Sequence, residues 1–253
     1  MHLELGTSSD HGAAAFAAGD FPQSGPRRPS TSIGVGPSGH AARPQVPHKL
    51  DDLSDVDLLN LILVRAQRDA NALGCAQRLL DLFGDFSRVI AARPERLRLV
   101  GGLSDAQIFE LKLFGLSARR LARAKLLDRP VISGSHILLD YCHTTLAHLD
   151  REQFRVLFLD RKNGLIADEV LGEGTVDHVP VYPREVMRRA LDLHACALIL
   201  VHNHPSGDPA PSKADITMTQ SIKLVADALS ITLHDHVIIG KSSEFSFASA
   251  GLL

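Results

Sequence analysis

The segment Ala197-Leu-Ile-Leu-Val201 is a continuous apolar run that stops abruptly at His202-Asn-His204. So short a run without polar alternation predicts a strand buried on both faces, which needs cover on each side. The flanking sequence supplies that cover. Pro183 fits the first position of a helix reaching about Leu193, and Ala214–Leu229 has helical period. Phe154-Arg-Val-Leu-Phe-Leu159 and Leu165–Leu171 read as strands around Asp160-Arg-Lys-Asn-Gly164, whose Asn-Gly ending has hairpin-turn chemistry. Val237-Ile-Ile-Gly240 is a further buried strand. Residues 131–253 therefore predict a mixed α/β domain.

Residues 49–130 predict a small all-helical domain. Leu50, Leu53, Val56, Leu58, Leu59, Leu61, Ile62 and Leu63 form a helical stripe, with Ser54 or Asp55 as N-cap. A second helix runs from about Asn71 to Phe83 and stops at Gly84. Arg88–Ala92 starts a short one, broken near Pro94. A Gly-bearing turn at Gly101-Gly-Leu-Ser104 opens another helix, and Ser117–Leu127 reads as one more, ended by Arg129-Pro130.

The first 48 residues differ from all this. They hold 7 of the 19 Gly and 6 of the 13 Pro, with Ala, Ser and Thr filling most of the rest. Such a segment cannot bury enough surface to offset its ordering entropy, and it predicts a disordered tail. Gly34-Val-Gly-Pro-Ser-Gly39 lacks the Gly-Lys-Ser/Thr ending of a phosphate loop and no strand leads into it. The 27 Lys and Arg against 29 Asp and Glu advertise neither a polyanion nor a membrane surface as partner. No apolar run reaches the roughly 18–20 residues of a membrane span, and no secretory leader pattern is visible. Cys75, Cys142 and Cys196 lie far apart without a CxxC pair. They predict reduced thiols in a cytoplasmic protein.

The chemistry concentrates in His202-Asn-His204-Pro-Ser-Gly-Asp-Pro-Ala-Pro-Ser212-Lys-Ala-Asp215. Alternate residues of a strand share a side, so His202 and His204 can present two imidazoles to one point. Three prolines and a glycine make the following loop a stiff, reversing turn. It lets Ser212 cap the next helix and puts Asp215 in its first turn. Two imidazoles and one carboxylate make an open zinc site that keeps a fourth position for water. A second pair, His234-Asp-His236, lacks a third ligand at matching spacing, since Phe247 stands 11 residues beyond His236. His236 therefore reads as structural, packed or hydrogen-bonded near the core. His178 and His194 have no partners in sequence.

The spacing His-x-His-x7-Ser-x2-Asp resembles the JAMM motif of the MPN/JAB metallopeptidases. The fuller string is similar to the RadC branch, as are Tyr182-Pro-Arg-Glu-Val186, Ala195–Val201 and Asp235-His-Val-Ile-Ile-Gly240. Leu53-Ser-Asp55, Leu58-Leu59 and the Gly102 turn extend the likeness upstream, so it covers about residues 49–253. The resemblance implies a cytidine-deaminase-like MPN/JAB sheet with flanking helices, one Zn2+ per chain held by His202, His204 and Asp215, and cleavage of a peptide or isopeptide bond. It makes Ser212 the residue that orients water and stabilises the oxyanion. Glu152-Gln-Phe-Arg-Val-Leu-Phe-Leu159 fits the frame in which the general base precedes the first strand, although Arg155 stands where that frame has Gly. Glu169, Glu173 and Glu185 remain rivals to Glu152.

Gly102-Leu-Ser104 resembles the hairpin of a helix-hairpin-helix module, with Ser104 in place of its second Gly. Such hairpins offer backbone N–H groups to DNA phosphate. With Arg119, Arg120 and Arg123 nearby, an alternative expectation is a DNA-associated protein, related to repair or recombination, binding through residues 49–130. That region is only mildly basic, with 14 Lys and Arg against 11 Asp and Glu.

Overall fold

In the computed structural model, helices built on apolar stripes come first along the chain and a sheet built on apolar runs follows. The structure describes residues 53–68, 71–127, 130–131, 134–174 and 181–253. The expected tail, with its Gly34–Gly39 stretch, and His178 lie outside the described residues. The helices α1 (Asp55–Ala66), α2 (Ala72–Phe83), α3 (Phe86–Ala91), α4 (Pro94–Arg98) and α5 (Asp105–Leu127) come first. Ser54 caps α1 by accepting from the Asp57 N–H, and Gly84 ends α2 at a φ of 98° that favours glycine. Leu59, Leu63, Leu79, Leu97 and Leu111 fill the core these helices share.

The structure departs from the sequence expectation in this region. Pro94 opens α4 as its first residue instead of only ending α3. The two helices expected around residues 105–127 are one helix of 23 residues that runs straight through Gly115. There a Cβ would come within 2.8 Å of the Ile90 side chain, so the glycine serves close packing against α3 and not a break.

Downstream come α6 (His136–Leu146), β1 (Gln153–Leu159), β2 (Leu165–Glu173), α7 (Pro183–Asp192), β3 (Ala197–Asn203), α8 (Lys213–Ala228), β4 (Thr232–Ile239) and β5 (Glu244–Ser246). Helix α6 and strand β5 lie outside the elements that the sequence predicts. The former has the ordinary signals, a Ser135 cap and buried Leu138, Cys142 and Leu146 at helical spacing.

The described strands form one mixed sheet in the order β2-β1-β3-β4-β5. Strand β1 runs antiparallel to both β2 and β3, whereas β3 and β4 are parallel and joined across α8. All seven residues of β3 are buried, as its unbroken hydrophobicity predicts. Its even-numbered residues Leu198 and Leu200 pack with Phe154, Val156 and Phe158 beneath α7 and α8. Its odd-numbered residues Ile199 and Val201 pack with Leu157, Leu159 and Val237 beneath α6 and Leu126 of α5. Among the described residues no helix is long and apolar enough to cross a membrane.

Phe158 is fully buried at the centre of the α7–α8 face. Phe158→Ala should therefore cost about 3–5 kcal/mol of folding stability, seen as a lower urea midpoint at unchanged slope.

Candidate metal centre

The α7–α8 face of the sheet ends in polar groups. His202 pairs with Phe154 across β1 and β3, so both side chains leave the sheet on the same side. Asn203, pointing the other way, accepts from the Gln153 N–H at 2.9 Å and donates to the Arg151 carbonyl at 3.0 Å. Those two bonds flank Glu152, which lies one residue before β1, as His204 lies one residue past β3. Glu152 is 8% exposed, and its charge is close enough to act on the His204 ring.

The turn after His204 is held tightly. Gly207 takes a φ of 92° and donates to the His204 carbonyl, while the Lys241 N–H donates back to the Gly207 carbonyl. Gly240 is the residue that lets the two segments meet, because a Cβ there would lie 2.5 Å from the Gly207 oxygen. The chain then enters α8 through a capping box. Ser212 Oγ accepts from the Asp215 N–H, and the Ser212 N–H and Oγ–H both donate to Asp215 Oδ2, at 2.7 and 2.6 Å.

The outcome is a convergence of three donors. His202 Nε2 lies 3.0 Å from His204 Nε2 and 3.4 Å from Asp215 Oδ1, and His204 Nε2 lies 3.6 Å from Asp215 Oδ2. An ion bound at about 2.1 Å in a tetrahedron separates its ligand atoms by about 3.4 Å. The donor set therefore fits a small divalent metal in both spacing and chemistry, and it is the group of His, Cys, Asp and Glu among the described residues with ligand atoms close enough to hold one.

The electrostatics agree with a cation site. Burial pushes the His202 imidazole down to about 4. Although burial opposes it, the neighbouring His204 and Ser212 hold the Asp215 carboxyl well below the usual carboxylate range. The Asp215 carboxylate in turn lifts His204 above the ordinary imidazole value. The His204 Nδ1–H donates to the Asp208 carbonyl at 2.8 Å, since a carbonyl can only accept, and this leaves Nε2 facing the other donors.

The rival carboxylates are engaged elsewhere. Glu169 is clamped by Arg189 through two bonds of 2.7 Å, Glu173 accepts from Gln153 at 2.9 Å, and Glu185 pairs with Arg188 at 2.9 Å. His194 sits apart, at the end of α7 with a positive φ. His236 is hydrogen-bonded in the core as expected, but against His202 itself, at 2.8 Å. Sequence reasoning could not assign it to the site, because only the parallel pairing of β4 with β3 brings the two rings together.

A mixed sheet flanked by helices, with a His-x-His strand end facing an Asp on the following helix, defines a JAB-type domain. A family profile described as RadC-like JAB domain matches residues 132–252. A UPF0758 protein from Rhodobacter capsulatus is 59% identical over 201 residues, covering 79% of this chain and 94% of the relative. Another UPF0758 protein, from Ruegeria pomeroyi, is 58% identical over 201 residues, 79% of this chain and 90% of its own length. The chain belongs to the RadC family.

His202 and His236 are both held below the ordinary imidazole value of 6.5. The unfolded chain therefore takes up protons first, and acidification from about pH 6.5 towards 4 favours unfolding. His204 has the opposite sign, its contribution being lost as pH rises through its raised folded value. With two rings against one, thermal melts of chelator-treated protein should show a falling midpoint over that interval. The fall should be shallower for His236→Gln.

Proposed function

We propose that this chain is a zinc-dependent hydrolase of the JAMM metallopeptidase class, cleaving a peptide or isopeptide bond. The observation that carries the reading is the convergence of His202, His204 and Asp215 at separations of 3.0 to 3.6 Å. Three protein donors leave one position of a tetrahedral ion open, the arrangement of catalytic zinc sites and not of structural ones. The side chains of His204 and Asp215 keep 18% and 12% of their surface exposed, so a substrate can reach them.

Bound zinc supplies a Lewis acid and an acidified water at neutral pH. The chain's own groups do the rest. Glu152, flanked by the two Asn203 bonds and close enough for its charge to act on His204, accepts the proton of the attacking water and returns it to the leaving amine. Ser212 holds Asp215 through its hydroxyl, and turning that hydrogen towards the substrate carbonyl offers a donor to the developing oxyanion. Asp215, already ionised, contributes the negative charge that a divalent cation needs.

Purified protein should contain one zinc per chain. His202→Ala, His204→Ala and Asp215→Ala should each lose it by elemental analysis. Glu152→Gln should keep the metal and slow hydrolysis of a fluorogenic isopeptide or peptide panel by about 10²–10⁴-fold. Full activity in Glu152→Gln would place the base elsewhere, and full zinc in His202→Ala would end the reading.

One observation favours a second, compatible activity in nucleic-acid binding. A cavity of about 510 Å³ is lined by Arg93, Lys112, Arg119, Arg120, Arg123 and Arg155. Arg155 is neutralised by Asp168, and Lys112 donates to the Ile90 and Ala92 carbonyls. Arg119, Arg120 and Arg123 have no ion-pair partner among the described residues. The Gly102 turn offers less, because the Ser104 N–H already donates to Gln107 Oε1. If the cleft binds DNA phosphates, Arg119→Glu with Arg123→Glu should abolish binding to a duplex at low salt. The wild-type affinity should fall steeply as salt rises.

A further inference from the structure

His202 has two ring nitrogens, and only one points at His204 and Asp215. Its Nδ1 lies 2.8 Å from His236 Nε2, and His236 Nδ1 lies 2.6 Å from Thr219 Oγ1. Thr219 Oγ1 is also 2.6 Å from the backbone carbonyl oxygen of Asp215, one turn back along α8.

The protons in this chain of contacts are determined by elimination. A carbonyl oxygen can only accept, so the single hydroxyl hydrogen of Thr219 goes to Asp215. Thr219 Oγ1 must then accept from His236, which places the His236 proton on Nδ1. The His236 ring is fully buried and its two nitrogens meet only a hydroxyl and another imidazole, with no carboxylate to balance a second proton, so its Nε2 carries only a lone pair. His202 Nδ1 must therefore be the donor of the bond between the rings, and His202 Nε2 is left bare.

We propose that Thr219 and His236 are positioning residues that lock His202 in its Nδ1–H tautomer and hold the Nε2 lone pair ready for the metal. The inference rests on the metal reading above and extends it to two residues that touch neither metal nor substrate. The lock starts from the backbone of Asp215, itself one of the three donors, so forming the first turn of α8 sets the carboxylate and the distant imidazole together.

Two further features make the lock effective. His202, Thr219 and His236 are all fully buried, so water cannot replace a missing partner. The His236 ring is stacked on Phe247 at 4.7 Å and meets Phe154 edge-on at 5.9 Å, which fixes the direction of both its nitrogens. Ligating histidines ordinarily hydrogen-bond a carboxylate, a backbone carbonyl or water. A neutral imidazole in that place can either donate or accept, so it orients His202 correctly only while Thr219 dictates its own tautomer.

The test uses full-length protein with and without zinc. In chelator-treated wild type, long-range ¹H–¹⁵N spectra should show His202 as the Nδ1–H tautomer. Thr219→Val keeps the shape and removes the hydroxyl; it should shift His202 towards Nε2–H and weaken zinc about 10–100-fold in a chelator competition. Thr219→Ser should restore both readouts. His236→Gln retains an amide that can accept from His202 and donate to Thr219, and should stay near wild type. His236→Phe fills the same space without an acceptor and should behave like Thr219→Val, which keeps the test available if the valine variant does not fold. An Nε2–H His202 in the wild type, or wild-type zinc affinity and tautomer in a folded Thr219→Val, would overturn the proposal. A wild type that shows the Nδ1–H tautomer but binds no zinc would instead overturn the metal reading and leave the lock standing.

Discussion

Strand β3 is buried on both faces, and both the core and the site are fixed by how it pairs. With β1 on one side and β4 on the other, its alternation decides which residues enter which core. A slip of one residue would turn His202 and His204 away from α8 and bring Asn203 towards it, because side-chain direction in a strand has a period of two. The hydrophobic residues alone would resist such a slip only weakly, since Leu198 to Val201 are apolar on either face. Asn203 removes the ambiguity. Its amide satisfies one carbonyl and one N–H of the neighbouring strand end, at Arg151 and Gln153, and only one register offers both.

Placing three imidazoles and a carboxylate at the end of such a strand opposes stability. His202 and His236 must stay neutral without solvent, and Asp215 must stay ionised while partly buried. The arrangement offsets much of that cost locally. Asp215 takes two hydrogen bonds from Ser212, His204 donates to the Asp208 carbonyl, and the buried histidines bond each other. What these bonds leave uncompensated is the approach of His202 Nε2 and His204 Nε2 at 3.0 Å, each with its other nitrogen already donating. A proton on His204 Nε2, favoured by the Asp215 carboxylate, or a cation between the two nitrogens would each relieve that approach, so polar satisfaction and metal chemistry point to the same atoms.

Local signals in the sequence carried much of this architecture. The apolar run of β3, the Ser212 cap with Asp215 three residues on, and the Asn-Gly turn at 163–164 each specify their geometry within a few residues. The strand-end histidines and Asp215 could be brought together from spacing because one stiff loop joins them. Helix α6 carries its Ser135 cap and helical period in the sequence, but it is short and stands between two better-marked regions. Gly115 shows a real limit: whether a glycine breaks a helix or admits a neighbour depends on Ile90, which is far away in sequence. The partnership of His236 with His202 was hidden for the same reason, since a second His-x-His on a strand gives no sign of which strand will lie beside it.

Arg155 can be understood in the same terms. It stands where the resembling frame has a glycine, three residues after Glu152. Alternation along β1 sends the two side chains to opposite faces, Glu152 to the side of His204 and Arg155 towards α6. There Arg155 grips both oxygens of Asp168 at 2.9 and 2.8 Å, and the Tyr141 hydroxyl donates to the same carboxylate. The register shift between Phe154 and Arg155 in the pairing with β2 marks where the strand accommodates this large residue. The departure is thus absorbed on the far face of the sheet, and the position of Glu152 depends on Asn203 instead.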